Sequence, residues 1–355
     1  MRPHFFNLAS LAMFTLALLL ICCILIIMLL RTKREKSTQK WKQIADLLIR
    51  KAIFFEEQEG TQTDIHLTSR AGNLLKNKRF RKVLTDEMIN ARKNVSGSSA
   101  DNLKKLYLQL NLHHFALSRL NNGKWYIKAQ IIQELSIMDL KEHLTKIYRF
   151  INDSNDLLRM EAQIAVVRLY GFKGLRFLDL VTYPLSEWQQ IKLLHELTNV
   201  STENFSGIEK WLKSANKSVV VFALKLTRIY HRFELHDAVA LCLADHSDEV
   251  RYQAIISLGE IYNHETSGIL IGRLLKEAPR EQKAILQVLQ NLATTDDILV
   301  LLDQLNDENA SVKFLAAKTL SKIGPEGYES LVQHPQAQQH PLSGIIKQIS
   351  SEMPV

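Results

Sequence analysis

Glycine and proline are scarce, 13 and 7 in 355 residues. A sheet-rich fold needs turn formers at every hairpin, so this scarcity argues against one. Cysteine is scarcer still. Cys22 and Cys23 stand together in an apolar run and Cys242 stands alone, which leaves no disulfide framework and no CxxC metal site. That usage fits a soluble part in a reducing compartment. No GxGxxG, GxxxxGKS or GxxxxGKT phosphate loop occurs, and no GxSxG elbow. His113 and His114 are adjacent, about 100° apart on a helix, which suits a shared ligand poorly. These absences assign no catalytic, cofactor-binding or metal-ligating residue and no cofactor, and they set the expectation that the chain is not an enzyme. What is abundant is Leu, Ile, Ala, Lys, Glu and Gln, the composition of helices.

Leu8 to Leu30 holds 23 residues without a charge. At about 1.5 Å per residue that is roughly 35 Å of helix, enough to cross a hydrocarbon core of about 30 Å. A cleaved leader would have a shorter apolar region ending at small residues. This one ends in Met28-Leu29-Leu30 and then Arg31, as a retained anchor does. Only Arg2 precedes the span, whereas Arg31, Lys33, Arg34, Lys36, Lys40 and Lys42 follow it against Glu35 alone. The positive-inside bias therefore places the soluble part in the cytoplasm, behind a single pass of the inner membrane with the N-terminus outside.

The net charge of +8 is unevenly spread. Residues 1–30 carry +1, residues 31–42 carry +5, residues 76–93 carry +5, and the remainder carries −3. A basic excess confined to the membrane-proximal quarter argues against nucleic acid as a partner. One reading makes these runs topology determinants and a solvated helix face. The other makes Arg31, Lys33, Arg34, Lys36, Lys78, Arg79, Arg81 and Lys82 candidate contacts to anionic lipid headgroups, each worth about 1 kcal/mol near the surface.

A repeat runs through the rest. Ile127, Leu158, Gln189, Val219, Val250, Glu281 and Val312 are spaced 31, 31, 30, 31, 31 and 31 residues apart. Four residues on from them lie Ile131, Ala162, Leu193, Ala223, Ala254, Ile285 and Ala316. The positions four, eight and eleven after and seven before each reference make 28 sites, of which 26 are hydrophobic, where a 46% composition gives roughly 13. Such spacing keeps side chains on one face of a helix, so each unit reads as a helix pair that buries its stripe by stacking on its neighbours. An example is Leu235 to Leu243 followed by Asp248 to Tyr262. Asn122, Asp153, Asp245 and Asp307 lie five residues before their references, where they favour the turn, and Lys128, Arg159, Arg251 and Lys313 lie one after. Gly171, Gly174, Gly324 and Gly327 mark helix ends.

This Asx-x4-(Val/Ile/Leu)-(Arg/Lys) pattern resembles the HEAT repeat family in its short bacterial form of about 30 residues. It is clearest in DHSDEVRYQAIISLGEIY (245–262), DENASVKFLAAKTLSKIG (307–324) and DSNDLLRMEAQIAVVRLY (153–170). The repeats at Gln189, Val219 and Glu281 keep the hydrophobic phase without the full motif. The resemblance implies an all-α fold, a right-handed α-solenoid of HEAT/armadillo-like superhelix type behind an N-terminal transmembrane helix. The whole chain is similar to single-span bacterial inner-membrane proteins with a cytoplasmic HEAT domain.

The expected organisation is an anchor (1–30), a basic juxtamembrane helix and linker (31–60), a helical cap (61–112), about seven helix pairs (113–332) and a tail (333–355). Within it, Gln58 to Asp64 is expected to break the first helix, and Leu74 to Arg92 and Leu103 to Leu117 to form helices around a Ser96–Ser99 loop. Residues 333–341 read as a loop before a short amphipathic tail.

HEAT-like proteins mostly bind proteins, so the resemblance implies a membrane-anchored scaffold or adaptor holding a cytoplasmic or inner-membrane protein on the concave face of second helices. It extends to partners in envelope polysaccharide or glycosyltransferase machinery. Candidate partner-binding residues are Trp125, Trp188, Lys128, Arg159, Arg251 and Lys313; for the two Trp residues the commoner reading is core or turn packing against the next repeat. Alternatives are a lipid-sensing peripheral module or a HEAT-type enzyme, bilin lyase-like or a metal-dependent hydroxylase. Deoxyhypusine hydroxylases bind iron through His-Glu pairs at equivalent repeat positions. Here His195-Glu196 and His264-Glu265 lie 6 and 14 residues after their references, out of phase. No small-molecule substrate is identified.

Overall fold

A computed structural model describes residues 3–55, 69–198, 200 and 206–352, with side chains at 13–55, 72–198, 200 and 206–352. Among the described residues the chain is helix and turn throughout, without a strand. It divides into two compact units, Met1–Leu169 and Tyr170–Val355.

The first unit begins with a helix of 51 residues, Pro3–Ile53. Residues 13–30 of it are exposed although almost wholly apolar. The helix is long and apolar enough to cross a membrane. Beyond Trp41 its character changes. Ala45, Leu48, Ile49 and Ala52 are buried at helical spacing, while Leu47 between them points out. This stripe packs on helices Lys78–Lys93 and Gly97–Gln109. The carbonyls at its end are satisfied from the second of these. Ser99 Oγ donates to Ile53 O (3.1 Å) and Asn102 Nδ2 to Phe55 O (2.8 Å). The expected break at Gln58 to Asp64 lies outside the described residues.

Two expectations for this region change. Ser98 and Ser99 are not loop but the first turn of helix Gly97–Gln109, with Ser96 as its extended N-cap residue. The stretch from Leu103 to Leu117 is two helices, not one. Asn111 sits at φ 54°, a left-handed conformation that Asn tolerates, and divides Gly97–Gln109 from Leu112–Asn122. Similarly, Leu74 ends one short helix and Lys78 starts the next, capped by the Asn77 side chain on Arg79 N (2.9 Å).

The repeat is visible directly in the helix bounds. Second helices start at Trp125, Asp156, Glu187, Lys217, Asp248, Pro279 and Ala310, reproducing the sequence spacing. Every residue four and eight after a reference is buried, including Ala162, Ala254 and Ala316 at 0% exposure. Within the second unit, Lys217–Ile229, Asp248–Glu260, Pro279–Leu289 and Ala310–Lys322 pack each on the next. Their small residues permit that approach. Buried hydroxyls stitch the row: Ser257 Oγ donates to Leu224 O (3.0 Å) and Thr319 Oγ1 to Leu286 O (3.1 Å). The first helices are less regular. The one expected from Leu235 to Leu243 is a short α-helix, His236–Leu241, between 3₁₀ turns Phe233–Leu235 and Cys242–Ala244. Thr182, one of the two polar sites of the pattern, is exposed beyond the 3₁₀ segment Gly171–Asp179. At the end, residues 333–341 form turns and Leu342–Glu352 is helical.

Gly171 opens that 3₁₀ segment at φ +56°, and a Cβ there would stand 2.6 Å from Val200 Cγ1. Both the backbone angle and the contact oppose any larger residue. Gly171→Ala is expected to destabilise the protein by about 2 kcal/mol, read as a lower thermal midpoint by circular dichroism. An unchanged midpoint would mean that the turn relaxes freely.

A basic groove at the foot of the first helix, and a buried acid

Helix Lys78–Lys93 lies against the juxtamembrane part of the first helix. Trp41 meets Phe80 edge-on (ring centroids 6.3 Å apart), and Lys42 Nζ pairs with Glu87 Oε1 at 2.8 Å. That hydrogen bond and charge raise the Lys42 pKa above its ordinary value. The contact brings the two basic runs together. A groove of about 590 Å³ has Lys33 and Arg34 on one wall and Arg79 and Lys82 on the other, with Leu30 and Trp41 also lining it. No acidic residue lines it. The other four lipid candidates lie elsewhere. Arg31 is paired with Glu35 (2.9 Å), and Lys36 is exposed outside the groove. Lys78 and Arg81 turn to a second cavity of about 430 Å³, where Arg81 stacks 3.8 Å from the Phe115 ring centroid and donates to Leu75 O at 2.5 Å.

On the wall of that second cavity is Glu134, 4% exposed and not singled out by the sequence reading. Burial lifts its carboxyl to about 7, partly opposed by the Tyr107 hydroxyl, which donates to Oε1 at 2.6 Å, and by the charge of Arg119. Tyr107 is pushed upward in turn by burial and by Glu134. Asp86, on the same cavity, is raised by burial against the pull of Lys82. The available signal was position: Glu134 lies seven after its reference, as Ser257 and Thr319 do, where side chains face the α-helix two before their own.

The partner-binding candidates fall into three groups. Arg159 and Arg251 serve their own turns. Arg159 Nη1 donates to Asp153 O (2.6 Å) and Nη2 to Asp156 (2.8 Å). Arg251 repeats this on Asp245 O (3.0 Å) and Asp248 (2.6 Å), and adds Glu277 through Nε (2.8 Å). The Asx residues behave as turn formers: Asp153, Asp245 and Asp307 each accept the N–H two residues on, at 2.9, 2.9 and 2.7 Å. Lys128 and Lys313 are half-buried, Lys128 lying 5.4 Å from the Phe150 ring centroid. Trp125 (44% exposed, edge-on to Tyr126) and Trp188 (60%, under Lys192 Nζ at 5.0 Å) face outward.

His195 and His264 are exposed, and among the described residues no three His, Cys, Asp or Glu side chains converge as a metal site. His113 and His143 stack with centroids 6.3 Å apart, each lowered by burial. Cys242 is buried, its thiol pushed up to about 11 by burial, as an inert core residue is.

No protein-family model matches the chain. No curated protein matches it either. Several solved structures are similar, and they are HEAT-repeat-like proteins. Human deoxyhypusine hydroxylase in complex with glycerol is 12% identical, over 89% of this chain and 96% of its own, with a TM-score of 0.28. Kap95p, in a complex with RanGDP, is 13% identical over 90% of this chain, with a TM-score of 0.37; the match spans 47% of that chain, about half. The CpcE–CpcF complex of phycocyanin lyase from Nostoc is 12% identical, over 84% of this chain and 100% of that one, with a TM-score of 0.25. The expectation that the chain is not an enzyme is corrected here, because a hydroxylase and a lyase stand among these structures. Among the described residues the helix bounds themselves show an all-helical, repeat-like fold with one N-terminal helix long and apolar enough to span a membrane.

Proposed function

We propose that the protein is a single-span membrane scaffold whose helical repeats hold a protein partner in the cytoplasm. The basic run after Leu30, set against Arg2 before the apolar stretch, supports that orientation. The partner-binding reading is carried by helix Glu187–Leu197. It buries Leu193 and Leu197 at 0% exposure while Trp188 and Ile191, three residues apart, stand 60% and 56% exposed. Single exposed apolar residues are ordinary, but an exposed Trp with an Ile on the same face and Lys192 over its ring is the composition of a binding hot spot.

The test uses the full chain in its native membrane, with a photoreactive residue in place of His195, one turn from Ile191. A discrete protein adduct is expected, and Trp188→Asp with Ile191→Asp is expected to reduce its yield by about tenfold or more, as loss of a hot spot does. Undiminished adduct in that double variant would sink the reading. Alkaline extraction of the same membranes checks the anchor, since a chain released by alkali does not span.

A further inference from the structure

We propose that the groove between the foot of the first helix and helix Lys78–Lys93 binds the phosphate headgroup of an anionic membrane lipid. Four cations converge there from two helices, Lys33 and Arg34 facing Arg79 and Lys82. Among the described residues none of the four makes a salt-bridge contact with a carboxylate, whereas Arg31 and Lys42 hold Glu35 and Glu87; Lys82 also borders the neighbouring cavity, where its charge acts on Asp86. Concentrating like charges in one groove raises its potential, and a phosphate diester relieves that repulsion while accepting the planar donor forks of the two arginines.

Position selects the source of the phosphate. Leu30, the last residue of the apolar run, lines the groove, and Arg34 lies about 6 Å further along the helix at 1.5 Å per residue. With the apolar run in hydrocarbon, the four cations stand at headgroup depth. Trp41 adds the aromatic residue that membrane interfaces favour. Ser37 offers a hydroxyl in the same groove. The span also tethers the site to the bilayer, so a lipid phosphate is always present at high local concentration, whereas a soluble one must come from dilute solution. The inference rests on the proposed membrane span and is independent of any protein partner.

The experiment takes the full chain through native mass spectrometry from detergent micelles carrying equal amounts of phosphatidylglycerol and phosphatidylcholine. Retention of phosphatidylglycerol over phosphatidylcholine by about fivefold or more is expected, falling as salt is raised. Arg79→Gln with Lys82→Gln is expected to bring the ratio near parity with the helical circular dichroism unchanged. Lys276→Gln with Lys322→Gln, which removes the same charge from exposed positions in the second unit, is expected to leave it intact. Each single groove variant, Arg79→Gln and Lys82→Gln, gives an intermediate ratio and serves if the double variant misfolds. Equal retention of both lipids by the wild type, or an unchanged ratio in the groove variants, overturns the proposal. So does displacement of phosphatidylglycerol by excess inorganic phosphate, which identifies a free-anion site. A chain that resists alkaline extraction yet retains both lipids equally removes the groove alone, and a chain released by alkali removes the span with it.

Discussion

Arg251→Ala is expected to destabilise the protein by about 3 kcal/mol, the low end of the cost of breaking a buried ion pair from one side. The guanidinium joins two turn carbonyls, Asp245 O and His246 O, to Asp248 on its own helix and to Glu277 in the next repeat. Glu277 decides the size of the effect. Its side chain is 1% exposed and shared between Arg251 and Arg273, so removing Arg251 leaves a buried carboxylate with half its partners. Arg251 itself is 15% exposed, and water entering the vacated space holds the loss to the lower part of the range. The change should appear as a fall of roughly 5–10 °C in the thermal midpoint of the full chain in detergent. Lys313 occupies the same position in its own repeat and forms no ion pair among the described residues, so Lys313→Ala is expected to stay within about 0.5 kcal/mol of wild type. Equal losses at the two sites would mean that repeat position, not the Glu277 link, sets the cost.

That contrast shows what the sequence could carry. A helix must return to the same face every three to four residues, so the buried stripe at Ala162, Ala254 and Ala316 is written in spacing alone. The Asx turn and the basic residue after each reference were legible as a pattern too. Their use was not, because the added partner that makes Arg251 costly to lose, Glu277, lies 26 residues away in the next repeat. The first helices were harder for a related reason. Segments such as Ile208–Leu212 and His236–Leu241 are too short to show a period, and the second of them tightens into 3₁₀ turns at both ends. The single helix expected across Leu103 to Leu117 failed on one residue, Asn111, whose left-handed backbone no hydrophobic pattern announces.

The groove has the same history. Both basic runs were visible as charge, and the i,i+4 pairing of Arg31 with Glu35 could be read from spacing, yet the packing of Trp41 on Phe80 is what sets Lys33 and Arg34 opposite Arg79 and Lys82. Four of the eight lipid candidates line one groove. Convergence is a tertiary fact, and a run of charge cannot state it.

Glu134→Gln is expected to make the protein more stable at pH 8 and to leave it near wild type at pH 5. In the unfolded chain Glu134 ionises near its ordinary 4.5, whereas in the folded protein burial holds it to about 7. A raised folded pKa means that the native state keeps a proton which the unfolded state has released. Stability from this group is therefore full below about pH 4.5 and declines by about 1.4 kcal/mol per pH unit until the folded carboxyl ionises near 7, a total of about 3 kcal/mol. Above that both states are charged and the loss is complete. Gln cannot ionise, and its carbonyl oxygen can still accept the Tyr107 hydroxyl now 2.6 Å from Oε1. Urea unfolding at pH 5 and pH 8 reads the difference directly; the same pH dependence in variant and wild type would show that Glu134 does not hold its proton. Tyr107→Phe separates burial from hydrogen bonding. Because the Tyr107 hydroxyl lowers the Glu134 pKa, its removal is expected to carry the decline above pH 7, with Arg119 the remaining group that favours the carboxylate and Asp86 opposing it.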